Sequence, residues 1–423
     1  MKFLTTTGIL FFLCISSFSQ ENWSHFRGNK LDGHAVDQAY PVHFGEGDHV
    51  IWKTAISGLG WSSPVVWDGQ IWLTTAAADG KKLSALCLDY SSGQILKEML
   101  LFEPDSIQPI HSTNSYATPT PAVEKGFVYV HFGTYGTACI RTDDFSVVWK
   151  RTDLNCQHMQ GAASSLFIHR NLLIVHIEGT DNQYIAALDK TTGSTVWKTE
   201  RPHEFYKDIA PVYRKAYTTP IVVRTGDRDL LISNGSQMCF AYDVLTGSPV
   251  WSFWYGYDST VGMPLSYDGL VFFNSGWIFL ENKPNFVKFF AVDPSGNGDV
   301  TKTHVKWELD EDVPQITTPV IVDGRIYMVH ERGTLTCVDA LSGKVIWKDK
   351  LRGQFNASPV LAGGNLYIPD VRGTVWIIKP GDRFQPVSEN RLEGTIKATP
   401  AFVNGNIILR TDSHLYRIGE KEE

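Results

Sequence analysis

Cysteine, positive charge and long apolar runs are all scarce in this chain. Its six cysteines never stand next to one another, and no C-x-x-C or C-x-x-C-H occurs. That excludes a vicinal disulfide, a thioredoxin-type redox pair and covalent haem attachment. Lys and Arg number 38 against 45 Asp and Glu, a net charge of −7. With no bulk basic field, neither nucleic acid nor an anionic membrane surface is expected as a partner. Beyond the first 20 residues there is no apolar run of about 18, so no transmembrane segment is expected. A nucleophile elbow and a phosphate-binding glycine loop are missing too, because GTYGT at 133–137 reads as a turn between strands.

What is present begins with MKFLTTTGILFFLCISSFSQ. Lys2, an apolar stretch at 9–15 and Ser17-Phe18-Ser19 have the order of a secretory signal cleaved near Gln20. Cys14 could suggest lipidation, but Leu13 before it is larger than the small residue such sites use. The expectation is a signal at 1–20, an extension at 21–48 and one domain at 49–423, periplasmic or secreted and soluble after cleavage. Five cysteines then remain, an odd number that excludes a complete disulfide framework. Cys87, Cys139, Cys239 and Cys337 share strand-like contexts and read as buried small hydrophobes. Cys156 lies in a polar loop two residues before His158, and a structural metal there stays open.

Internal repeats decide the architecture. The clearest unit is ITTPVIVDGRIYMVHERGTLTCVDALSGKVIWK at 316–348. Its (S/T)-P opening recurs at Ser63-Pro64, Thr118-Pro119, Thr219-Pro220, Thr318-Pro319, Ser358-Pro359 and Thr399-Pro400. Met263-Pro264 and the proline-free GAASSLFI at 161–168 fill the two gaps. Pairs such as Asp68-Gly69, Asp323-Gly324 and Asn404-Gly405 suit tight hairpins with positive φ. An Asp-x-x-(S/T)-Gly-x-x-x-Trp pattern closes several units. Each unit therefore predicts four short antiparallel strands, A to D. The eighth unit stops after strand C, and HVIWKTAI at 49–56 reads as its missing strand D. The expected fold is all-β: a β-propeller of eight four-stranded blades (seven possible), with an N-terminal strand closing the last blade.

The D-x-x-T-G-x-x-x-W pattern and its repeat over 50–419 resemble the quinoprotein-like propellers. That superfamily holds pyrroloquinoline-quinone (PQQ) dehydrogenases and BamB-like assembly factors. The segment WSHFRGNKLDG at 23–33 is similar to periplasmic propellers of this kind. The resemblance implies fold strongly and function weakly. PQQ alcohol dehydrogenases typically carry adjacent cysteines and a calcium site of Glu, Asn and Asp; neither is evident here, so no cofactor is expected.

In a propeller the D-to-A and B-to-C loops share one rim. His111, Asn114, His131, His158, His176, Tyr184, Arg214, Lys215 and Tyr217 all fall on it. Their cations and donors suit an acidic poly- or oligosaccharide. β-Elimination on a uronate needs a neutralised carboxylate, a base for the C5 proton and an acid for the oxygen leaving C4. The spacing of His111 and His131 is similar to paired histidines of β-propeller lyases that cleave ulvan. The expectation is a lyase or dehydratase in which His131 and Tyr217 transfer protons. His111, Asn114 and Arg214 bind the carboxylate, with Lys215, His176, Tyr184 and His158 in support. Tyr184, Tyr213 and Tyr217 compete for one role, and Arg201 and Arg214 for the other. The alternative is a BamB-like scaffold that binds envelope proteins, and a PQQ-dependent dehydrogenase is third.

Overall fold

The computed structural model describes residues 21–256, 260–276, 278–280 and 283–420. The signal sequence and Cys14 expected at 1–20 lie outside them. Eight sheets with four antiparallel strands each follow one another along the chain, and that of blade 4 adds a short fifth strand in parallel. Blade 1 runs Val65–Trp67, Gln70–Ala76, Leu83–Asp89 and Ile95–Phe102. Blade 2 runs Ala122–Glu124, Phe127–His131, Thr137–Arg141 and Val147–Arg151. Blades 3, 4, 5, 6 and 7 repeat the order, with first strands at Phe167–His169, Ile221–Thr225, Leu265–Tyr267, Val320–Val322 and Val360–Ala362.

Closure is as the sequence predicts. Ala401–Val403, Asn406–Arg410 and His414–Ile418 form three strands of blade 8. Val50–Ala55, from the other end of the chain, pairs antiparallel with the third. A ring closed this way joins first and last blades through a hydrogen-bond ladder and leaves no gap between them.

The repeated pattern has a physical cause. Trp149 donates its indole N–H to the Lys190 carbonyl in the C-to-D turn of the next blade, at 3.1 Å. Trp197 does the same to Val244, Trp307 to Ala340 and Trp52 to Tyr90. Each ring lies where the turn glycine has no side chain: a Cβ on Gly193 would sit 2.6 Å from Trp149, and one on Gly93 2.4 Å from Trp52. Both glycines also need positive φ, +73° and +70°. Asp189 accepts the Thr191 hydroxyl and the Thr191 and Thr192 amides to hold its turn, and these bonds, the hydroxyl's first, pull its carboxyl down to about 2. Asp, Gly and Trp thus form one inter-blade joint. Asp68-Gly69 and its counterparts take the positive φ angles expected of tight hairpins.

One alignment shifts. The opening of blade 2 is Thr120-Pro121, not Thr118-Pro119, because strand A starts at Ala122, two residues after the threonine, as in every other blade. The extension before Val50 crosses the floor of the ring. Val123 donates to Ser24, Ile168 to the His25 ring, and Arg27 to the Thr318 and Pro319 carbonyls. That segment therefore ties together blades far apart in sequence. All five described cysteines are free and buried: Cys87, Cys139, Cys239 and Cys337 as expected of small core residues, and Cys156 with them although its loop reads as polar.

Candidate functional site

Residues two apart in extended chain face the same way. In each blade the segment entering strand A runs beside the axis, so two positions per blade face the channel. Together they line a cavity of about 480 Å³, within the range of small-molecule sites.

The lower position is almost uniform: Ser63, Thr120, Ser165, Thr219, Thr318, Ser358 and Thr399 line the cavity, and only blade 5 departs, with Met263. These hydroxyls link the blades. Ser63 N–H donates to Thr120, Thr120 to Ser165, Ser165 to Thr219, Thr318 to Ser358 and Ser358 to Thr399, each at 2.9–3.0 Å. The ring is incomplete at Ser63, whose buried hydroxyl has no hydrogen-bond partner.

The upper position varies. It is Trp61, Thr118, Ala163, Tyr217, Val261, Ile316, Asn356 and Lys397 in blades 1 to 8. Lys397 lies 4.5 Å from the Trp61 ring centroid and donates to the Thr113 carbonyl at 3.2 Å. Partial burial lowers its pKa, against the pull of Asp412. Lys215 is buried, donates to the Val212 carbonyl at 2.7 Å and lies 6.0 Å from the Tyr217 ring. Tyr217 donates to Gln160 at 2.7 Å. Phe26, from the N-terminal extension, lines the same space. Among the described residues no Asp or Glu lines it.

Of the residues expected from sequence, His111, Asn114, Lys215 and Tyr217 share this cavity. The others do not line it. His131 is 2% exposed and hydrogen-bonded to Thr137 at 2.8 Å. Burial, with the neighbouring His158 adding to it, lowers its pKa to about 3. His158 accepts the Thr134 amide at 3.2 Å, and burial lowers it to about 4. Arg214 donates to the Ile209 carbonyl within its own loop. Tyr184 packs in the core beneath Lys198, whose ammonium is 4.1 Å from its ring.

His176 belongs to a buried polar network with Glu178 and Arg201. Arg201 donates to Glu178, to Tyr242 at 2.8 Å and to Ser233 at 2.9 Å. Glu178 also accepts the Ser236 amide at 2.8 Å. The Thr218 carbonyl makes Nδ1 of His176 the donor, leaving Nε2 to accept from Arg201 at 3.3 Å. Burial opposes charge on Glu178, but the Arg201 guanidinium holds its carboxyl below the usual value. This network joins blades 3 and 4 and faces no solvent.

Sequence reasoning missed Trp61, Lys397 and the hydroxyl ring. The signal existed: each stands at, or two residues before, the (S/T)-P pair that served only to mark strand starts. Among the described residues no group of three His, Cys, Asp or Glu is placed to hold a metal ion. Cys156 Sγ and His158 Nε2 lie 3.3 Å apart, hydrogen-bonded to each other. Among the described residues the lining of the axial cavity offers no carboxylate to a calcium-bound PQQ.

A family model described as outer membrane protein assembly factor BamB matches residues 62–199, 181–315 and 290–383, so the matches together run from 62 to 383. BamB of Escherichia coli K12 is 28% identical over 93 residues, which is 22% of this chain and 23% of that protein. BamB of Salmonella typhimurium matches to the same extent. The alignment thus spans less than a quarter of these relatives' length. Among solved structures, BamB from Moraxella catarrhalis superposes with a TM-score of 0.59 at 14% identity, covering 88% of this chain and 98% of that one. Quinohemoprotein alcohol dehydrogenase from Comamonas testosteroni gives 0.63 at 12% identity, covering 95% and 81%. At such identities the two structures speak for the fold alone.

Proposed function

The chain belongs to the family of the outer membrane protein assembly factor BamB, and on that premise we propose that it is a non-catalytic propeller that binds other envelope proteins through its rim. The observation that carries this reading is the outer strand of blade 1, Ile95–Phe102. It ends its sheet, with no further strand beside it among the described residues. Ile95, Leu96 and Leu100 on it are 39%, 42% and 45% exposed. Val147 and Val148 are likewise exposed on the outer strand of blade 2. An open edge with apolar side chains suits addition of an extended segment from a partner.

The chain itself illustrates that chemistry. The outer strand of blade 4 takes up residues 298–299 in parallel, and that of blade 7 has Gly45 bridged in parallel to Arg391. Backbone pairing of this kind needs little from the partner's sequence, which fits a factor that handles other chains. No helix among the described residues is long and apolar enough to cross a membrane; the proposed setting is the aqueous envelope.

The uronate elimination expected from sequence ranks below this reading. His111, Asn114, Lys215 and Tyr217 do share a cavity, but His131 and Arg214 do not line it. A new ultraviolet absorbance from a conjugated C4–C5 double bond, on mixing with uronate polysaccharides, would reverse that order.

The test of the scaffold is genetic and direct. Deleting the gene in its own host should lower the level of outer-membrane β-barrel proteins. Wild-type protein should restore them, and Leu96→Lys/Leu100→Lys should not, although it accumulates as a folded protein. Full restoration by the double variant would overturn a role for this edge.

A further inference from the structure

Each sheet of the ring ends at the axis on strand A, and that inner edge can pair like any other sheet edge. The hairpin register decides which residue offers itself. In blade 1 Trp67 and Gln70 flank a two-residue turn and bond to each other, so Val66, opposite Ile71, turns its N–H and C=O away from strand B. Both groups of Val66 bond to Trp23 of the N-terminal extension, at 2.8 Å each. Leu361 of blade 7 likewise donates to the Gly33 carbonyl and accepts from Ala35. The equivalent residues of blades 2, 3 and 6 use one group apiece. Val123 donates to the Ser24 carbonyl, Ile168 donates to the His25 ring, and the Ile321 carbonyl accepts from the His34 ring.

Blades 4, 5 and 8 differ. The same alternation makes Val222, Ser266 and Phe402 the outward residues, opposite Leu231, Val271 and Ile407. Among the described residues nothing bonds to their N–H or C=O groups. Phe402 is covered nonetheless, with the Trp23 and Tyr40 rings 6.2 and 5.3 Å from its own. Blades 4 and 5 are open: Val222 is part-exposed, Ser266 is exposed and Tyr267 is 37% exposed. The extension passes them in a knot, with Arg27, Gly28, Leu31 and Gly33 all at positive φ. Phe26 and Leu31 pack their side chains against the core there, but no backbone group of the extension bonds to either blade. Two adjacent inner edges thus keep the backbone groups that the chain fills elsewhere with its own residues.

We propose that the inner edge of blades 4 and 5 takes up an extended segment of another polypeptide, continuing the seat of the extension around the floor. One residue of that segment pairs through its N–H and C=O with Ser266, as Trp23 pairs with Val66, so it is not a proline. Its side chain is aromatic. The Trp23 ring reaches back to Phe402, the outward residue of the preceding blade, and by the repeat of the ring a residue on Ser266 reaches back to Val222. This surface is separate from the outer edge of blade 1.

The probe is the synthetic peptide NWSHF, the sequence of residues 22–26, added to the full mature chain and followed by amide hydrogen exchange. Without peptide, the Ser266 amide should exchange at least about tenfold faster than those of Val66 and Leu361. Peptide at about millimolar concentration should slow Ser266 and leave Val66 unchanged. A peptide N-methylated at its tryptophan keeps every side chain but loses the donor for the Ser266 carbonyl, and should give no protection. Tryptophan replaced by alanine should bind about tenfold more weakly. Ser266→Pro removes an N–H that strand B does not use, so it should abolish binding while melting as the wild type does. Slow exchange at Ser266 in the protein alone, equal protection by the N-methylated peptide, or no protection at millimolar peptide would each overturn the site. Restoration of outer-membrane proteins through Leu96 and Leu100 does not involve Ser266, so a failure here leaves the scaffold reading standing and the reverse also holds.

Discussion

Blades 2 to 4 hold two sets of polar residues that look alike in sequence and differ in space. One set, His131, His158, His176, Glu178 and Arg201, is buried within the wall of the ring. The other, with His111, Lys215 and Tyr217, lines the axial cavity. The first set is satisfied by protein: Arg201 alone bonds to Glu178, Tyr242 and Ser233. Beside the second, in blade 1 of the same cavity, the buried Ser63 hydroxyl has no hydrogen-bond partner. A histidine at a strand end says little about its use. The partners left over after the protein has bonded to itself say much more.

If the wall is structural and the cavity is for ligand, substitutions in the two places should separate stability from binding. The largest effect belongs to Glu178→Ala. It strands the buried Arg201 guanidinium, and loss of one member of a buried pair costs about 3–5 kcal/mol. Denaturant unfolding should register that loss, while the folded fraction binds rim partners unchanged.

A pH scan should follow. His131 and His158 have pKa values lowered from 6.5 to about 3 and about 4. Above 6.5 both are neutral in the folded and unfolded chain alike, and pH has no effect through them. Below it the unfolded chain takes up protons that the folded wall refuses, so stability falls until the folded values are reached. Each group contributes up to about 1.4 kcal/mol per pH unit in that window. Calorimetric melting between pH 7 and 4 should show the decline. A flat profile would mean that the wall opens to water and that the contrast is false.

Cavity substitutions should be smaller in stability. Lys397→Met and Ser63→Ala should stay within about 1 kcal/mol of wild type in unfolding, since the Thr113 carbonyl that Lys397 would release is on an exposed residue and the Ser63 hydroxyl has no partner to lose. The smallest effect is expected at the rim, where Leu96→Lys should shift stability by no more than about 0.5 kcal/mol. Thermal melting serves for both.

The fold was legible because its joints are local signals repeated many times. Asp, Gly and Trp recur at fixed offsets, and the structure shows why: the turn, the empty space above the glycine and the indole bond form one contact. The closing strand was legible for the same reason, since Trp52 repeats the contact made by Trp149. The candidate site was legible only in part. The rim position of His111 and Tyr217 follows from topology, and both reach the cavity. Whether a rim side chain turns to the axis or into the wall depends on its neighbours in adjacent blades. His131 turns to Thr137, and Tyr184 sits under Lys198. Lys397 and Trp61 went unnoticed because their partners are 336 residues apart in the chain and meet only when blades 8 and 1 close the ring.

The most direct measurement is photo-crosslinking in living cells from a residue placed at Leu96, compared with one placed at Thr113 at the cavity mouth. A protein-binding rim predicts a discrete protein adduct from position 96, lost in the Leu100→Lys background, and none from position 113. An adduct from 113 with none from 96 would contradict it and put the partner over the axis instead.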